Sequence, residues 1–273
     1  MFLATAALLV LSGCATRPVQ MSLQDLDNLL VGKGCIVRIV DGEPFSLLTV
    51  VQKRPATDGA VLRVYIEGDG LAWRTRRRLS AHPTPVNPLA LRLMLADPFA
   101  DKLYMARPCQ FVQNEACDAR FWSSDRYGVE VVAATNEALE KAKREKGYKH
   151  IELVGYSGGA TVALLVAAQR TDVISVRTVC GNLDPAAFSR LHRVSPLTGS
   201  LNPVDFSSSL QKIPQIHFVG EKDKRIPEEI FNSYRKFFSD TGAMELHRVP
   251  DADHHHGWIE QWPQLVRQAI DTP

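Results

Sequence analysis

The sequence IELVGYSGGA at residues 151–160 determines how the rest of this chain can be arranged. A short apolar run, typical of a buried strand, ends there in a serine flanked by glycines. Residues 160–168, ATVALLVAA, then have the composition of a helix. The segment therefore predicts a strand, a sharp turn and a helix, with Ser157 at the turn.

The glycines around Ser157 follow the pattern G-x-S-x-G, which is typical of a nucleophile elbow. A serine at such a turn has a strained backbone, so the residues two positions away, Gly155 and Gly159, must be small. Its hydroxyl is then exposed, while the amide of Gly158 lies at the helix N-terminus and can stabilise a negative oxygen. We expect Ser157 to be a nucleophile and Gly158 to supply part of an oxyanion hole.

The N-terminal segment is almost wholly apolar up to LSGC at residues 11–14. It is too short to span a bilayer, and it reads as the apolar part of an export signal. The LSGC sequence resembles the lipobox of bacterial lipoproteins, which implies a signal peptide at residues 1–13 and a lipid on Cys14. A plain secretory signal or a buried helix is the alternative, since no Lys or Arg precedes the apolar run. The lipobox predicts a protein lipid-anchored in the bacterial cell envelope and facing the periplasm or exterior.

Export would place the cysteines in an oxidising compartment, where disulfides form. Cys109 and Cys117 are close in sequence and separated by polar residues, so we predict a bridge that closes this loop. Cys180 ends an apolar run and is expected to be a buried thiol. No pair of cysteines has the spacing of a zinc site.

Length and charge predict one domain without a nucleic-acid partner. The chain has 273 residues, a net charge of +2, no repeat and no basic stripe typical of nucleic-acid binding. Residues 14–34 are predicted to be a tether with a short helical piece, and residues 35–273 a single domain. We expect a monomer with no cofactor and no metal.

Strand and helix patterns alternate through this domain, which predicts a mostly parallel sheet with helices on both faces. A hairpin at residues 35–51 precedes a strand at 61–66. Further strands are predicted at residues 103–105, 173–179, 215–219 and 244–249, and helices at 88–95, 124–146 and 259–270. In the helix at 124–146, we expect Val129 and Val132 to face inward.

A serine nucleophile needs a histidine base that is held by a carboxylate. In a fold built around a G-x-S-x-G elbow, the serine comes first along the chain, then the acid and then the histidine. Asp223 follows a predicted late strand and is the first choice for the acid, because active-site residues gather at the carboxyl ends of parallel strands. Asp184 is the alternative, and Glu221 is a third option.

Three consecutive histidines follow the last predicted strand, at residues 254–256. His254 is the first choice for the base and His255 the second. Asp251, Asp253 and the three histidines could also bind a metal. Adjacent residues cannot all face one ion, however, so one catalytic histidine with two loop histidines is the favoured interpretation.

The EGDG sequence at residues 67–70 follows an earlier strand, where the second N–H group of an oxyanion hole is expected. We assign this donor to the backbone of Asp69, with Gly68 as the alternative. Glu67 is expected to hold the loop through hydrogen bonds.

The sequence allows two roles for each of two further segments. The basic run WRTRRR at residues 73–78 could contact an anionic group or lipid headgroups, or it could be a solvated loop. Residues 185–210 could form a small lid or a fixed loop, and they are too short for a large cap.

These motifs together resemble the α/β-hydrolase superfamily over roughly residues 35–273. The matching parts are GYSGG at 155–159, EGDG at 67–70, residues 220–223 and Asp253-His254. ARPCQ at 106–110 and GNLD at 181–184 are similar to sequences of bacterial α/β-hydrolase lipoproteins. The resemblance implies a serine hydrolase that cleaves an ester or related acyl bond of a small-molecule or lipid-like substrate through an acyl-enzyme. Thioester or peptide hydrolysis remains open, and the alternative is a non-catalytic envelope lipoprotein that uses the fold as a binding scaffold.

Overall fold

The computed structural model describes residues 19–53 and 61–268. The predicted signal segment at 1–13 and the predicted lipidation site Cys14 lie outside the described residues. Within the described part, no helix has the length and apolar character that crossing a bilayer requires.

An eight-stranded sheet forms the centre of the protein, and a separate two-stranded ribbon lies beside it. The strands in chain order are β1 Cys35–Val40, β2 Leu47–Gln52, β3 Val61–Ile66, β4 Trp73–Thr75, β5 Arg78–Leu79, β6 Lys102–Met105, β7 His150–Tyr156, β8 Val173–Val179, β9 Gln215–Gly220 and β10 Met244–Val249. The sheet order is β1-β2-β6-β3-β7-β8-β9-β10, and β4 pairs with β5.

The six strands from β6 to β10 across the sheet are parallel, whereas β2 pairs antiparallel with both β1 and β6. Because strands β3, β7 and β9 are apolar and largely buried, helices must cover both faces of the sheet. The parallel arrangement brings the carboxyl ends of β3, β7, β9 and β10 to one edge. The predicted mostly parallel α/β architecture is confirmed.

The helices form a layer on each face of the sheet. They are α1 Leu23–Leu30, α2 Leu89–Ala96, α3 Val129–Lys146, α4 Gly158–Ala167, α5 Pro185–His192, α6 Ser207–Leu210, α7 Glu228–Arg235 and α8 Trp262–Leu265. Buried residues of α3, α4 and α7 belong to one apolar cluster, and those of α1, α2 and α8 to the other. Helix α4 is buried along its whole length, so the elbow rests on the most enclosed helix of the fold.

Two helix boundaries differ from the sequence prediction. Helix α3 begins at Val129 because Gly128 is its N-cap, and Val129 is 63% exposed instead of facing the core. The preceding residues 123–128 form a loop, in which Ser124 accepts a hydrogen bond from Ser200. Of the predicted helix at 259–270, only Trp262–Leu265 is helical within the described residues. Pro263 has no N–H and is favoured at the first turn, which places the helix start here.

The loop between β6 and α3 contains the predicted disulfide between Cys109 and Cys117. Cys35 and Cys180 are free and buried, as expected for Cys180. The bridge fixes the part of the chain that leads from β6 toward the loop at 123–128, and both approach the edge of the sheet where Ser157 lies.

Candidate active site

Ser157 lies at the sharp turn between β7 and α4, and its backbone has φ +52° and ψ −119°. The turn leaves no space for larger neighbours. A Cβ atom at Gly155 would lie 2.4 Å from the Cα of Ala160, and one at Gly159 would lie 2.3 Å from the carbonyl oxygen of Ile66. Both glycines of the pattern are therefore sterically required, and the half-buried Ser157 is held at the end of the strand.

His254 bridges Ser157 and Asp223. Its Nε2 atom lies 3.1 Å from Ser157 Oγ, and its Nδ1 atom lies 2.8 Å from Asp223 Oδ2. The other carboxylate oxygen of Asp223 accepts hydrogen bonds from the backbone N–H groups of Arg225 at 2.7 Å and Ile226 at 2.9 Å. His254 is 6% exposed and Asp223 is 5% exposed, so the contacts form in a site largely shielded from water.

Burial alone would raise the pKa of Asp223, but its hydrogen bonds with His254, Cys180 and the Ile226 N–H, together with the charge of His254, outweigh burial and hold that pKa below its ordinary value. The carboxylate is therefore ionised at neutral pH. An ionised acceptor at Nδ1 orients the ring so that Nε2 faces the serine hydroxyl.

Two side chains fix the backbone that carries His254. The Tyr156 hydroxyl donates to the carbonyl oxygen of His254 at 2.9 Å, and the indole of Trp258 donates to the carbonyl oxygen of Asp253 at 2.7 Å. Trp258 is fully buried. Sequence reasoning did not assign Tyr156 a role, although its place in the elbow puts it beside Ser157.

Neither of the two alternative acids, Asp184 and Glu221, forms the contact with His254. Asp184 caps helix α5 by accepting from the backbone N–H groups of Ala186 and Ala187, and its carboxylate also accepts from Asn202 and Ser233. Glu221 is exposed. These contacts make Asp184 a structural carboxylate, and Asp223 is the acid that contacts His254.

His255, the alternative base, faces a different partner. Its Nδ1 atom lies 2.9 Å from the Tyr156 hydroxyl. Burial, followed by the charge of His254, lowers the pKa of His255 to about 4. His256 is exposed and pairs with Asp253. His254 is therefore the histidine that the structure brings to Ser157.

The loop at residues 67–70 lies against the elbow. A Cβ atom at Gly68 would lie only 3.3 Å from the Cβ of Ser157. The N–H of Gly68 donates to Glu67 Oε1 at 2.9 Å, so it is not free to bind an oxyanion. Among the described residues, the backbone N–H groups of Asp69 and Gly158 have no acceptor. Of the two donors that the sequence suggested on this loop, Asp69 is therefore the available one.

The side chain of Asp69 is held by three residues to which the sequence analysis gave no role, although one of them, Arg107, lies in the ARPCQ sequence at 106–110. Its carboxylate accepts from Arg126 at 2.9 Å, from Arg107 at 3.4 Å and from the Tyr127 hydroxyl at 2.9 Å. Burial alone would raise the pKa of Asp69, but the charges of Arg126 and Arg107 outweigh it and lower that pKa. The Asp69 carboxylate lies against Gly158, since a Cβ atom there would be 2.0 Å from Asp69 Oδ1, and the two guanidinium groups offset its negative charge beside the elbow.

Glu67 is 1% exposed, and its Oε2 atom has no hydrogen-bond partner among the described residues. Burial raises the pKa of this carboxyl to about 7, although the hydrogen bond from the Gly68 N–H opposes the shift. As the pH rises from 4.5 to about 7, the unfolded chain releases this proton while the folded protein keeps it. Glu67 therefore reduces stability progressively across that window.

Replacing Glu67 with glutamine should remove this pH dependence. We expect the stability of Glu67→Gln relative to the parent protein to rise between pH 4.5 and 7, by at most about 3 kcal/mol, because a pKa shift of one unit is worth about 1.4 kcal/mol. Urea unfolding at several pH values measures the difference, with the exposed Glu221→Gln as the control. Parallel stability curves for Glu67→Gln and the parent would contradict this assignment.

Cys180, Asp223 and His254 present potential metal ligands within 4.8 Å of one another, the one such group among the described residues. Burial, with the negative charge of Asp223 beside it, raises the pKa of the Cys180 thiol well above its usual range. A metal binds the thiolate, and a neutral thiol is a weak ligand. Asp223 and His254 are already bonded to each other, so the chemistry of this group favours an acid–base pair over a metal site.

Comparisons with known proteins agree with the fold. The sequence matches no protein-family model and no curated protein. Solved structures with the same architecture include an α/β serine hydrolase homologue from Coxiella burnetii, at 15% identity and a TM-score of 0.56 over 85% of this chain and 95% of that chain. The esterase domain of a Rhodothermus marinus protein gives 13% identity and a TM-score of 0.56 over 85% of this chain and 94% of that one.

An α/β serine hydrolase without a lid from Xanthomonas campestris is similar at 15% identity, with a TM-score of 0.54. The alignment covers 88% of this chain and 97% of that chain. At these identities the similarity shows a common fold and no more than that.

Proposed function

We propose that this chain, which has the α/β-hydrolase fold, is a serine hydrolase that cleaves an ester or related acyl bond through an acyl-enzyme. The observation that carries the proposal is the position of His254, which contacts Ser157 Oγ through one ring nitrogen and Asp223 through the other. A nucleophile, a base and a carboxylate within hydrogen-bond reach form the arrangement that activates a serine hydroxyl.

In the first step, Ser157 Oγ attacks the acyl carbon while its proton passes to Nε2 of His254. A new C–O bond forms, and the electron pair of the carbonyl π bond moves to the oxygen. The N–H groups of Gly158 and Asp69 stabilise this oxyanion, while Asp223 stabilises the imidazolium.

In the second step, the bond to the leaving alcohol breaks, and the alcohol takes the proton from Nε2. The acyl group is then attached to Ser157. A water molecule gives a proton to Nε2 and attacks the acyl carbon, and Ser157 Oγ leaves with that proton. One water is consumed, and one alcohol and one acid are released.

The same proposal places the protein in the bacterial cell envelope, with a lipid on Cys14 that anchors it to a membrane. The support is the LSGC sequence at residues 11–14 after an apolar run. A disulfide between Cys109 and Cys117 is consistent with an oxidising compartment.

A panel of activated aryl esters and thioesters of increasing acyl length tests the activity. We expect saturable hydrolysis of at least one substrate, with the alcohol or thiol released before the acid because acylation of Ser157 precedes hydrolysis of the acyl-enzyme. Heat-denatured protein provides the background rate. If the folded protein hydrolyses no substrate above this background, the hydrolase proposal fails and the non-catalytic scaffold becomes the better account.

Paired variants of the two aspartates separate the catalytic acid from the structural one. Asp223→Asn should lower kcat by about 10³- to 10⁴-fold with little effect on stability, because an amide at this position favours the wrong tautomer of His254. Asp184→Asn should keep activity within about threefold and lower stability by about 1 kcal/mol, since asparagine still caps α5 but its amide nitrogen cannot accept the hydrogen bond from Ser233. Ester hydrolysis and thermal unfolding of both variants measure these effects, and equal losses of activity would contradict the assignment.

A further inference from the structure

The ribbon formed by β4 and β5 presents an unusual concentration of positive charge. Arg74, Arg76, Arg77 and Arg78 lie within it, and all residues from 73 to 78 are exposed. Between Asp69 and Asp97 the chain contains no carboxylate. None of the four guanidinium groups takes part in an ion pair found among the described ranges 19–53 and 61–268.

Apolar side chains are exposed on the same part of the surface. Trp73, at the start of the ribbon, is 40% exposed, and Val86 and Val19 are 41% and 78% exposed. A tryptophan beside arginines is the combination that favours a membrane interface, where the ring reaches the headgroup region and the cations meet anionic lipids.

The N-terminal end of the described chain lies directly beside this ribbon. Arg74 Nη2 donates to the side chain of Gln20 at 3.4 Å, and the Gln20 amide donates to the carbonyl oxygen of His82. The backbone N–H of Met21 donates to the carbonyl oxygen of Pro85 at 2.9 Å. The point where the described chain begins is therefore held against the ribbon.

The length of the preceding chain sets how far this face can lie from an anchored Cys14. Four residues lie between Cys14 and Val19, so five Cα-to-Cα steps connect the two. A fully extended chain covers at most about 3.6 Å per residue, so this tether spans at most about 18 Å. A lipid on Cys14 would hold the surface around Val19 close to the bilayer, and this step rests on the envelope anchoring proposed above.

We propose that the exposed face of the β4–β5 ribbon binds the headgroups of an anionic membrane. The ribbon starts four residues after Asp69, and the N–H of Ser80 closes it by donating to the carbonyl oxygen of Ala72. In the sequence, the ribbon thus closely follows the loop at residues 67–70, whose Asp69 N–H is an oxyanion donor in the proposed mechanism.

The tryptophans of this chain make the proposal directly measurable. Of the four, Trp122, Trp258 and Trp262 are 6%, 0% and 0% exposed, so Trp73 is the one that can reach lipid. The full chain is produced in a bacterium that exports and acylates it, purified from membranes, and reconstituted in vesicles with brominated acyl chains, with and without phosphatidylglycerol. We expect brominated lipids to quench Trp73 and to shift its emission to the blue in anionic vesicles, and Trp73→Phe should abolish both effects.

A charge-matched pair of variants tests the role of the arginines. Each arginine near an anionic surface favours the bound state roughly fivefold, so changing Arg74, Arg76, Arg77 and Arg78 to glutamine should remove most of the quenching. A control variant with the same charge change carries glutamine at four exposed lysines elsewhere, Lys146, Lys149, Lys212 and Lys236, and should quench like the parent. Salt at about 1 M, where the Debye length is about 3 Å, should reduce quenching in the parent.

Three results would overturn the proposal. The first is a Trp73 that stays accessible to an aqueous quencher in anionic vesicles, and the second is quenching that is equal in the arginine variant and the parent. The third is a blue shift that depends on protein concentration without vesicles, which would indicate a second copy of the chain on this face. The quenching assay does not depend on catalytic turnover, so a negative result leaves the hydrolase proposal untouched. The mass of the N-terminal peptide shows separately whether Cys14 carries a lipid, which distinguishes a failure of membrane binding by the ribbon from a failure of the anchor proposal.

Discussion

Ser157→Ala should lower ester hydrolysis by at least about 10⁴-fold, because it removes the atom that forms the bond to the acyl carbon. The fold should persist, since the contacts of Ser157 outside the triad are made by its backbone. Its N–H donates to Val179 at 2.9 Å, and its carbonyl oxygen accepts from Asn182 at 3.0 Å. Alanine keeps these bonds and has the same Cβ atom at the strained turn.

Initial rates with the best ester substrate measure the loss, and thermal unfolding checks the fold. The midpoint should move by less than about 3 °C, the shift that about 1 kcal/mol produces in a domain of this size. Ser209→Ala, at an exposed serine outside the site, is the matched control and should retain full activity. A Ser157→Ala protein that hydrolyses esters at the parent rate would remove Ser157 from the mechanism.

His254→Gln should cost about 10⁴-fold or more in kcat, since Ser157 would lose its base and Asp223 its partner. The neighbouring His255→Gln should stay within about tenfold of the parent. His255 contacts the Tyr156 hydroxyl, but that hydroxyl keeps its bond to the carbonyl oxygen of His254 when His255 is replaced. The two variants differ by one position in the sequence and by several powers of ten in expected activity.

Rates for both histidine variants on one ester provide the comparison. Comparable losses at the two positions would mean that the imidazole of His254 is not the base. Loss at His255 alone would assign the base to His255 and would require a rearranged loop in solution.

The fold could be predicted because its main determinants are local in sequence. The apolar strand, the glycines at 155 and 159 and the apolar helix after them define the elbow, and the α/β-hydrolase fold predicted from them is confirmed. Asp223 could be chosen because an acid directly after a late strand lies at the same sheet edge as Ser157. Chain order alone did not separate it from Asp184, which also follows a strand and turns out to cap α5.

The remaining parts of the site depend on contacts distant in sequence. Three consecutive histidines look equivalent in the sequence, and what distinguishes them is the hydrogen bonding of Tyr156 and Trp258 to their loop. The arginines that hold Asp69 come from the loop between β6 and α3, whose path no periodic pattern predicts.

The start of helix α3 could not be predicted from local composition either. The prediction of helix from residue 124 overlooked Gly128, which caps the helix that begins at Val129. The five residues before it are instead used in the loop that brings Arg126 to Asp69. A contact between distant parts of the chain thus occupies residues that composition alone favoured as a turn of helix.

Covalent labelling with a fluorophosphonate tests the central claim most directly, because this reagent reacts with a serine that a neighbouring base has activated. The purified full chain is incubated with the probe, digested and examined by mass spectrometry. The account predicts one adduct, on the peptide that carries Ser157, that is absent from Ser157→Ala and strongly reduced in His254→Gln. A folded parent protein that remains unlabelled, or that carries the same adduct after Ser157→Ala, would contradict an activated Ser157.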